Sequence, residues 1–283
     1  MTSAPQGIID AHTHIFPPDV VAKREEFGRR DGWFDALYCA PTAKIASAEH
    51  LIAAMDRSAV ACSIVLAFGW RDAALGRLHN AYLLDAARRY PGRIVPFAYV
   101  APDDADPDLD GFAGIGEWMP EGQGFTLDDH DRLAAQLDAA RERNLPILSH
   151  VSEPVGHAYP GKSTVTPAQF WRLARAFPDN RFIAAHWGGG LLFYELMPEV
   201  RQDLRNVWYD TAAGRLLYAE TIYAAALRVV PPEKILWGSD YPVLSPRLDL
   251  RSLRRLALDD VTMGAILGGN CRTLLAYPPP SRS

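Results

Sequence analysis

The stretch IIDAHTHIFPP, residues 8–18, is a short apolar run that ends in two histidines. Side chains of a strand alternate between its two faces, so positions i and i+2 point the same way. In a strand over this run, His12 and His14 therefore project together from the carboxyl end. Two converging imidazoles are typical of a divalent metal site, although a histidine pair hydrogen-bonded within a loop explains the isolated motif equally well.

Seven more short runs rich in strand-forming residues follow, separated by helical patterns. They read ACSIVLAF (61–68), RIVPFAYV (93–100), GFAGIGEW (111–118), LPILSH (145–150), RFIAAH (181–186), NVWYDT (206–211) and KILWGSD (234–240). Most are continuously apolar, which is typical of strands buried on both faces of a parallel sheet. Eight strands that alternate with helices predict an α/β fold, a (β/α)8 TIM-type barrel rather than a doubly wound open sheet.

Two segments depart from a regular barrel. About 50 residues separate the first two predicted strands, so we expect an insertion at residues 17–48 and a distorted barrel. The link APDDADPDLD (101–110) is too short and too rich in Asp and Pro for a full helix. No linker to a second domain is visible in the 283 residues. We expect one barrel domain over residues 1–283, with a flexible tail at 277–283.

The composition of the chain argues against two classes of binding partner, nucleic acids and membranes. Hydrophobic residues make up 48%, the net charge is −5, and no basic block is present, so we expect no nucleic-acid partner. No apolar run approaches the roughly 20 residues that span a bilayer, so we expect no membrane partner. Three scattered cysteines without CxxC spacing, and an N-terminus without the features of a secretory signal, favour the cytoplasm.

Metal-ligating residue types recur where other predicted strands end. Glu117 lies at the end of the fourth, His150 of the fifth, His186 of the sixth and Asp240 of the eighth. The carboxyl ends of barrel strands meet at one rim, where barrel enzymes have their active sites. Nitrogen and oxygen donors from separate strands suit zinc or a related ion. The sequence therefore predicts a metal site at this rim.

Four short motifs that contain these residues resemble motifs of a known protein family. HTH (12–14), SH (149–150), AHWGGG (185–190) and WGSDYP (237–242) resemble motifs of the amidohydrolase superfamily. The nearest likeness is to the amidohydrolase-2 branch, which includes aminocarboxymuconate-semialdehyde decarboxylase, resorcylate decarboxylases and pyrone dicarboxylate lactonase. Residues 79–102 and 268–277 are also similar to stretches of that branch. The likeness covers nearly the whole chain and is specific for the metal site, not for a substrate.

The resemblance implies roles for the rim residues. His12, His14, His150 and Asp240 would hold one divalent ion, usually zinc, with a water in the open position. Asp240 would orient that water and take its proton, and His186 would face it and stabilise charge on the attacked oxygen.

Glu117 has three interpretations. It bridges to a second metal ion, it accepts a hydrogen bond from a ligand histidine, or it contacts the substrate. The sequence does not decide between one ion and two.

Five residues are candidates for substrate binding. Trp70 and Arg71 follow the second strand, His157 and Lys162 lie in the long loop after the fifth, and Arg215 follows the seventh. Arginine binds carboxylates bidentately, so a carboxylated substrate is plausible. Each of these residues is equally well explained as an ordinary surface residue.

Three functions use these parts. The first is a metal-dependent hydrolase in which metal-activated water attacks an amide, lactone or similar bond of a small molecule. The second is a nonoxidative decarboxylase, or a hydratase, of an aromatic or enoic acid, in which Asp240 or His186 protonates carbon. The third is a catalytically silent binding barrel, which the complete set of candidate ligands disfavours. Glu117 favours the hydrolase, and the resemblance makes a homodimer typical.

Overall fold

Eight parallel strands form one sheet in which each strand pairs with the next in sequence. The computed structural model describes residues 7–256 and 258–275, so the predicted tail at 277–283 lies outside the described residues. The strands are β1 (Ile8–His14), β2 (Val60–Leu66), β3 (Ile94–Ala98), β4 (Gly114–Trp118), β5 (Pro146–Ser149), β6 (Arg181–Ala184), β7 (Val207–Asp210) and β8 (Ile235–Leu236).

The sheet returns to its own first strand. Asp240 N donates to His12 O at 2.9 Å, and His14 N donates to Tyr241 O at 2.7 Å, so the segment after β8 pairs with β1. The seven pairings between successive strands are parallel, and so is the bridge between Thr13 and Tyr241 that closes the sheet, which is the topology of a (β/α)8 TIM barrel. The predicted fold class is confirmed.

Helices surround the strands. Among the described residues, none is long and apolar enough to cross a membrane. The α-helices span Pro18–Ala22, Arg24–Arg30, Gly32–Tyr38, Ala48–Ser58, Ala73–Arg89, Pro120–Gln123, His130–Glu142, Pro167–Ala176, Ala185–Gly188, Pro198–Asp203, Gly214–Leu217, Ile222–Ala226, Pro246–Leu253, Asp260–Gly264 and Asn270–Leu275, with 3₁₀ turns at Leu191–Leu196 and Pro232–Lys234 and a π-helical turn at Ala265–Gly269.

The long segment between β1 and β2 is an insertion that covers the carboxyl-terminal end of the barrel, as predicted. It contains three short helices at Pro18–Ala22, Arg24–Arg30 and Gly32–Tyr38, followed by an irregular stretch that leads to Ala48–Ser58. The predicted absence of a full helix between β3 and β4 is also confirmed, since residues 99–113 contain no helix.

An aromatic cluster attaches the insertion to the barrel. Phe34 stacks on Trp70 with ring centroids 4.9 Å apart, and Tyr38 meets Phe16 edge-on at 4.7 Å. Phe68 contacts both groups, and all five rings are buried. Aromatic pairs contribute about 0.5–1.5 kcal/mol each beyond area burial, so this cluster holds the insertion in one position.

His79 belongs to this core and not to the metal-ligating set. Its Nδ1 accepts from Phe68 N and Trp70 Nε1, and its Nε2 donates to Ile15 O at 2.7 Å. Burial lowers the pKa of His79 to about 4, so the ring stays neutral at physiological pH.

Candidate metal centre

Five side chains from different strands meet at the carboxyl-terminal rim. His12 and His14 end β1, Glu117 lies in β4, His186 follows β6 and Asp240 follows β8. The two β1 histidines share a face because they are two residues apart, as expected. Four of the five are buried, and the Asp240 side chain is 13% exposed. The sequence expectation that these residues converge agrees with this geometry.

The donor atoms lie close around one point. His12 Nε2 and His14 Nε2 are 3.1 Å apart. Glu117 Oε2 lies 3.5 Å from the first and 3.3 Å from the second, and Asp240 Oδ1 lies at 3.6 and 3.7 Å. Two ring nitrogens and two carboxylate oxygens therefore face each other without intervening apolar atoms.

Two sets of three residues have the spacing of a metal site. One set is His12, His14 and Asp240, and the other is His12, Glu117 and His186, with the ligand atoms of each set within 4.8 Å of one another. Both sets contain His12. The geometry therefore fits a centre built around this residue, with oxygen donors on two sides.

Hydrogen bonds at the outer ring nitrogens set the tautomers of two histidines. His12 Nδ1 lies 2.8 Å from Asp210 Oδ2, and His186 Nδ1 lies 3.1 Å from Ala212 O. Carboxylate and carbonyl oxygens only accept, so each Nδ1 carries a proton, and in the neutral ring Nε2 is the nitrogen whose lone pair faces the centre. Ligand histidines are held by such partners in metal sites, and the residues present thus fit a divalent cation.

Asp210 was missed in the sequence. It is the last residue of β7, and its Oδ1 also accepts from His186 N at 2.9 Å. Glu117 and Asp240 were identified as carboxylates at the ends of predicted strands. Asp210 in NVWYDT (206–211) has the same position in its strand and could have been found in the same way. Its partner on β1 is 198 residues away in sequence, so only the closed barrel shows what it binds.

The backbone at two rim residues is unusual. His186 has φ 58° and Asp240 has φ 61°, a left-handed conformation that costs about 1–3 kcal/mol in residues other than glycine. Each is held by a backbone hydrogen bond, from His186 N to Asp210 Oδ1 and from Asp240 N to His12 O. Strain of this kind is concentrated at functional sites.

The electrostatics of the centre favour a positive charge. Burial alone would lower the pKa of His12. The negative charges of Asp210 and Glu117 have the larger effect and hold this pKa well above its usual value. Burial also lowers the pKa of His186, whereas the hydrogen bond with Glu117 and the charge of Asp240 raise it, to about 9. Protons at these nitrogens take the place that a metal cation would occupy.

His150 is brought to the centre in a different role from its neighbours. Its Nδ1 donates to Glu117 Oε1 at 2.9 Å, and its Nε2 pairs with Ser152 Oγ at 3.1 Å. Neither ring nitrogen belongs to the two sets that have metal-site spacing. The predicted ligand role of His150 stays a prediction.

A cleft of about 630 Å³ opens above the centre. His14, Glu117, His150, His186 and Asp240 contribute to its floor. The walls are mainly apolar and come from the insertion and from the loops after β4, β5, β7 and β8. They include Ala36, Leu37, Tyr38, Ala40, Ala43, Met119, Leu216, Leu217, Val243 and Leu244.

Two of the predicted substrate-binding residues have clear locations. His157 lines the cleft and is exposed. Trp70 does not, which corrects the sequence expectation. It is 1% exposed inside the aromatic cluster, and its Nε1 donates to His79 Nδ1. A strand-end tryptophan followed by an insertion becomes core because the insertion packs over it.

The other three candidates are not among the residues that line the cleft, and their predicted role in substrate binding stays a prediction. Arg71 donates from Nε to Gly122 O at 2.9 Å and connects two loops, whereas Lys162 donates from Nζ to Val155 O at 2.6 Å within its own loop. Arg215 lines a separate, small pocket. Each cation is used by backbone carbonyls or lies beyond the rim, which sequence position alone does not reveal.

Comparison with known proteins places the chain in a family. Residues 9–276 match the model of the amidohydrolase-2 family, described as "Amidohydrolase". The chain belongs to this family, an enzyme family, as its motifs suggested. Among curated proteins, none matches the chain.

Solved structures share the fold at low sequence identity. 5-Carboxyvanillate decarboxylase from Sphingomonas paucimobilis is 17% identical with a TM-score of 0.75, covering 95% of this chain and 99% of its own. The enzyme of that name from Novosphingobium aromaticivorans, complexed with manganese and 4-hydroxy-3-methoxy-5-nitrobenzoic acid, is 16% identical with a TM-score of 0.77, covering 98% and 97%. 2,6-Dihydroxybenzoate decarboxylase from Rhizobium is 16% identical with a TM-score of 0.70, covering 96% and 99%.

Proposed function

We propose that the chain is a metal-dependent, nonoxidative decarboxylase of a small aromatic or enoic acid. One observation carries the proposal: a buried set of histidine and carboxylate donors forms the floor of an apolar cleft of about 630 Å³. A cleft of this size suits a small organic molecule. The names of the similar solved structures, which are decarboxylases of aromatic acids, support this reaction over hydrolysis.

His12, His14 and Asp240 would hold the ion, with Glu117 and His186 beside them. When bound, a divalent cation supplies a Lewis acid that polarises oxygens of the substrate. Imidazole and carboxylate donors suit both zinc, the ion expected from the motifs, and manganese, the ion named for one similar structure.

The walls of the cleft would prepare the substrate. Leu37, Leu217 and Leu244 present apolar surface on different sides of the opening. A carboxylate placed between them loses part of its hydration, which favours departure as neutral carbon dioxide. The polar floor with His14, Glu117, His186 and Asp240 lies at the bottom of the same cleft, where the reacting group would meet it.

Asp240 would carry the proton. The bond between carbon and the carboxyl group breaks, its electron pair stays on carbon, and the carboxyl proton of Asp240 moves to that carbon. Water in the cleft then returns a proton to Asp240, whose side chain is 13% exposed, whereas that of Glu117 is 1% exposed. His186, whose Nε2 faces the same floor, is the alternative carrier.

Hydrolysis of an amide or lactone is the second candidate, and Glu117 favours it. This buried carboxylate lies within 3.6 Å of ring nitrogens of four histidines, His12, His14, His150 and His186. A second carboxylate beside Asp240 is suited to accept a proton from an attacking water.

Isotope labelling distinguishes the two reactions. The protein, stripped with a chelator and reloaded with manganese or zinc, is incubated with aromatic and enoic acids in D₂O. We expect carbon dioxide equal to the acid consumed and one deuterium on the product, with activity lost in the stripped protein. Cleavage of amides or lactones with uptake of ¹⁸O from labelled water, and no carbon dioxide from any acid, would overturn the proposal in favour of a hydrolase.

A further inference from the structure

The hydroxyl of Tyr38 is a polar group of the cleft that has no assigned role. Tyr38 ends the insertion helix Gly32–Tyr38, is 4% exposed, and lines the cleft together with Glu117 and Asp240. Within residues 7–256 and 258–275, its hydroxyl has no hydrogen-bond partner. A hydroxyl that faces a cleft without a protein partner is available to donate a hydrogen bond to a bound ligand.

The ring of Tyr38 is held firmly. Its centroid lies 4.7 Å from that of Phe16, 5.2 Å from Phe34 and 5.6 Å from Phe68. Phe16, Phe34 and Phe68 also contact one another, so the Tyr38 ring packs into one buried aromatic cluster. The hydroxyl therefore keeps its direction without a ligand, which lowers the entropic cost of binding one.

The surroundings of the hydroxyl determine what it can bind. Burial, together with the carboxylates of Asp240 and Glu117, holds the pKa of Tyr38 well above its usual value, so the group keeps its proton. It offers a hydrogen bond, and neither carboxylate accepts it. An acceptor on a ligand that sits between Tyr38 and the floor is suitably placed to receive this bond.

Two other donors of the cleft wall already have partners. Lys44 Nζ donates to Val243 O at 2.7 Å, and Tyr159 OH donates to Glu153 Oε2 at 2.8 Å. Tyr38 is thus a donor of the cleft wall that has no protein partner among the described residues and lies on a residue only 4% exposed.

We propose that Tyr38 is a specificity-determining residue that donates a hydrogen bond from its hydroxyl to the carboxylate of the bound acid. The substrate class rests on the proposed decarboxylase function. Tyr38 thereby binds the carboxylate that leaves as carbon dioxide, and it favours binding of acids over the corresponding neutral phenols.

Equilibrium binding tests this without turnover. Zinc-loaded wild-type protein and Tyr38→Phe are titrated with salicylate, by its fluorescence read within seconds of mixing, and with phenol, which lacks the carboxylate. Tyr99→Phe is the matched control, since Tyr99 is buried but does not line the cleft. Zinc per chain and thermal stability are measured for all three proteins.

We expect Tyr38→Phe to weaken salicylate binding about 10- to 100-fold, the range for a hydrogen bond to a charged group. Phenol affinity, zinc content and the Tyr99→Phe values should not change. Equal salicylate affinity in Tyr38→Phe and wild type, an equal loss for phenol, or no saturable salicylate binding by wild type would each overturn the inference. Wild type that binds salicylate in a Tyr38-dependent way but releases carbon dioxide from no acid would contradict the proposed function and leave the inference standing.

Discussion

His12 is held by Asp210 on one side of its ring and faces His14 on the other. Nδ1 lies 2.8 Å from Asp210 Oδ2, and Nε2 lies 3.1 Å from His14 Nε2. The first contact places the proton on Nδ1, so the second brings a lone pair close to another ring nitrogen. Such an arrangement is favourable when a cation or proton lies beside both nitrogens.

Asp210→Asn should weaken metal binding by about 10- to 100-fold, the usual effect of losing the partner of a ligand histidine. The amide can keep the bond from His186 N through its oxygen, but its NH₂ group opposes His12 Nδ1–H and favours the wrong tautomer. Zinc affinity measured by chelator competition checks this. Asp203→Asn, which alters the acceptor of Trp171 Nε1 outside the centre, is the control. Identical zinc affinities in Asp210→Asn and Asp203→Asn would show that Asp210 does not orient His12 for metal binding.

Protein purified without added metal or chelator should contain about one metal ion per chain, because the two sets of donors share His12 and cannot both be complete. Elemental analysis measures this directly. Glu117→Ala should keep that ion, bound by His12, His14 and Asp240, with lower affinity. Two ions in wild type that fall to one in Glu117→Ala would instead make Glu117 a bridging ligand and favour the hydrolase.

The metal-free protein should lose stability as the pH rises from about 7 to about 9.5. The pKa of His186 is raised to about 9 in the folded protein, above the unfolded value of 6.5. Its contribution is therefore complete below pH 6.5 and is lost as the pH passes through 9. The expected decrease in the free energy of unfolding is about 2 kcal/mol for this group, with His12 adding in the same direction.

Urea unfolding of chelator-treated protein at the two pH values measures this decrease. Burial raises the pKa of Asp10 to about 7, so most of its effect falls at lower pH and outside this window. His186→Gln should reduce the decrease, and zinc-saturated wild type should show little of it because a bound cation displaces the protons. An equal decrease in the free energy of unfolding in all three proteins would show that His186 does not cause it.

Glu195→Ala should destabilise the protein by about 3–5 kcal/mol, because it leaves a largely buried Lys234 charge without its partner. Glu195 Oε1 lies 2.6 Å from Lys234 Nζ and accepts from Tyr209 OH at 2.7 Å, with the carboxylate 1% exposed. Thermal and urea unfolding report the loss. The double variant Glu195→Leu with Lys234→Met should recover most of it, and a single variant as stable as wild type would show that the pair contributes little.

Much of the barrel could be predicted from local patterns. The eight apolar runs became β1 to β8 in order, because continuous runs of strand-forming residues suit only a sheet covered on both faces. His12, His14, Glu117, His186 and Asp240 could then be placed together, since parallel strands of a barrel bring their carboxyl ends to one rim.

Side-chain contacts across the barrel were less predictable. Trp70, Arg71, Lys162 and Arg215 follow strands in the sequence as the rim residues do, yet none of them lines the cleft. Whether a residue beyond a strand end faces the cleft depends on the loop conformation and on the nearest backbone acceptors. These are set by packing between segments far apart in the chain.

The sequence by itself determined the barrel and the kinds of donor at its rim, because strand periodicity and residue chemistry are local properties. Only the tertiary structure decided that Asp210 orients His12, that His150 pairs with Glu117, and that Tyr38 of the insertion reaches the cleft. These relationships join residues 33 to 198 positions apart in sequence. They depend on barrel closure and on the aromatic packing that positions the insertion, which no local pattern encodes.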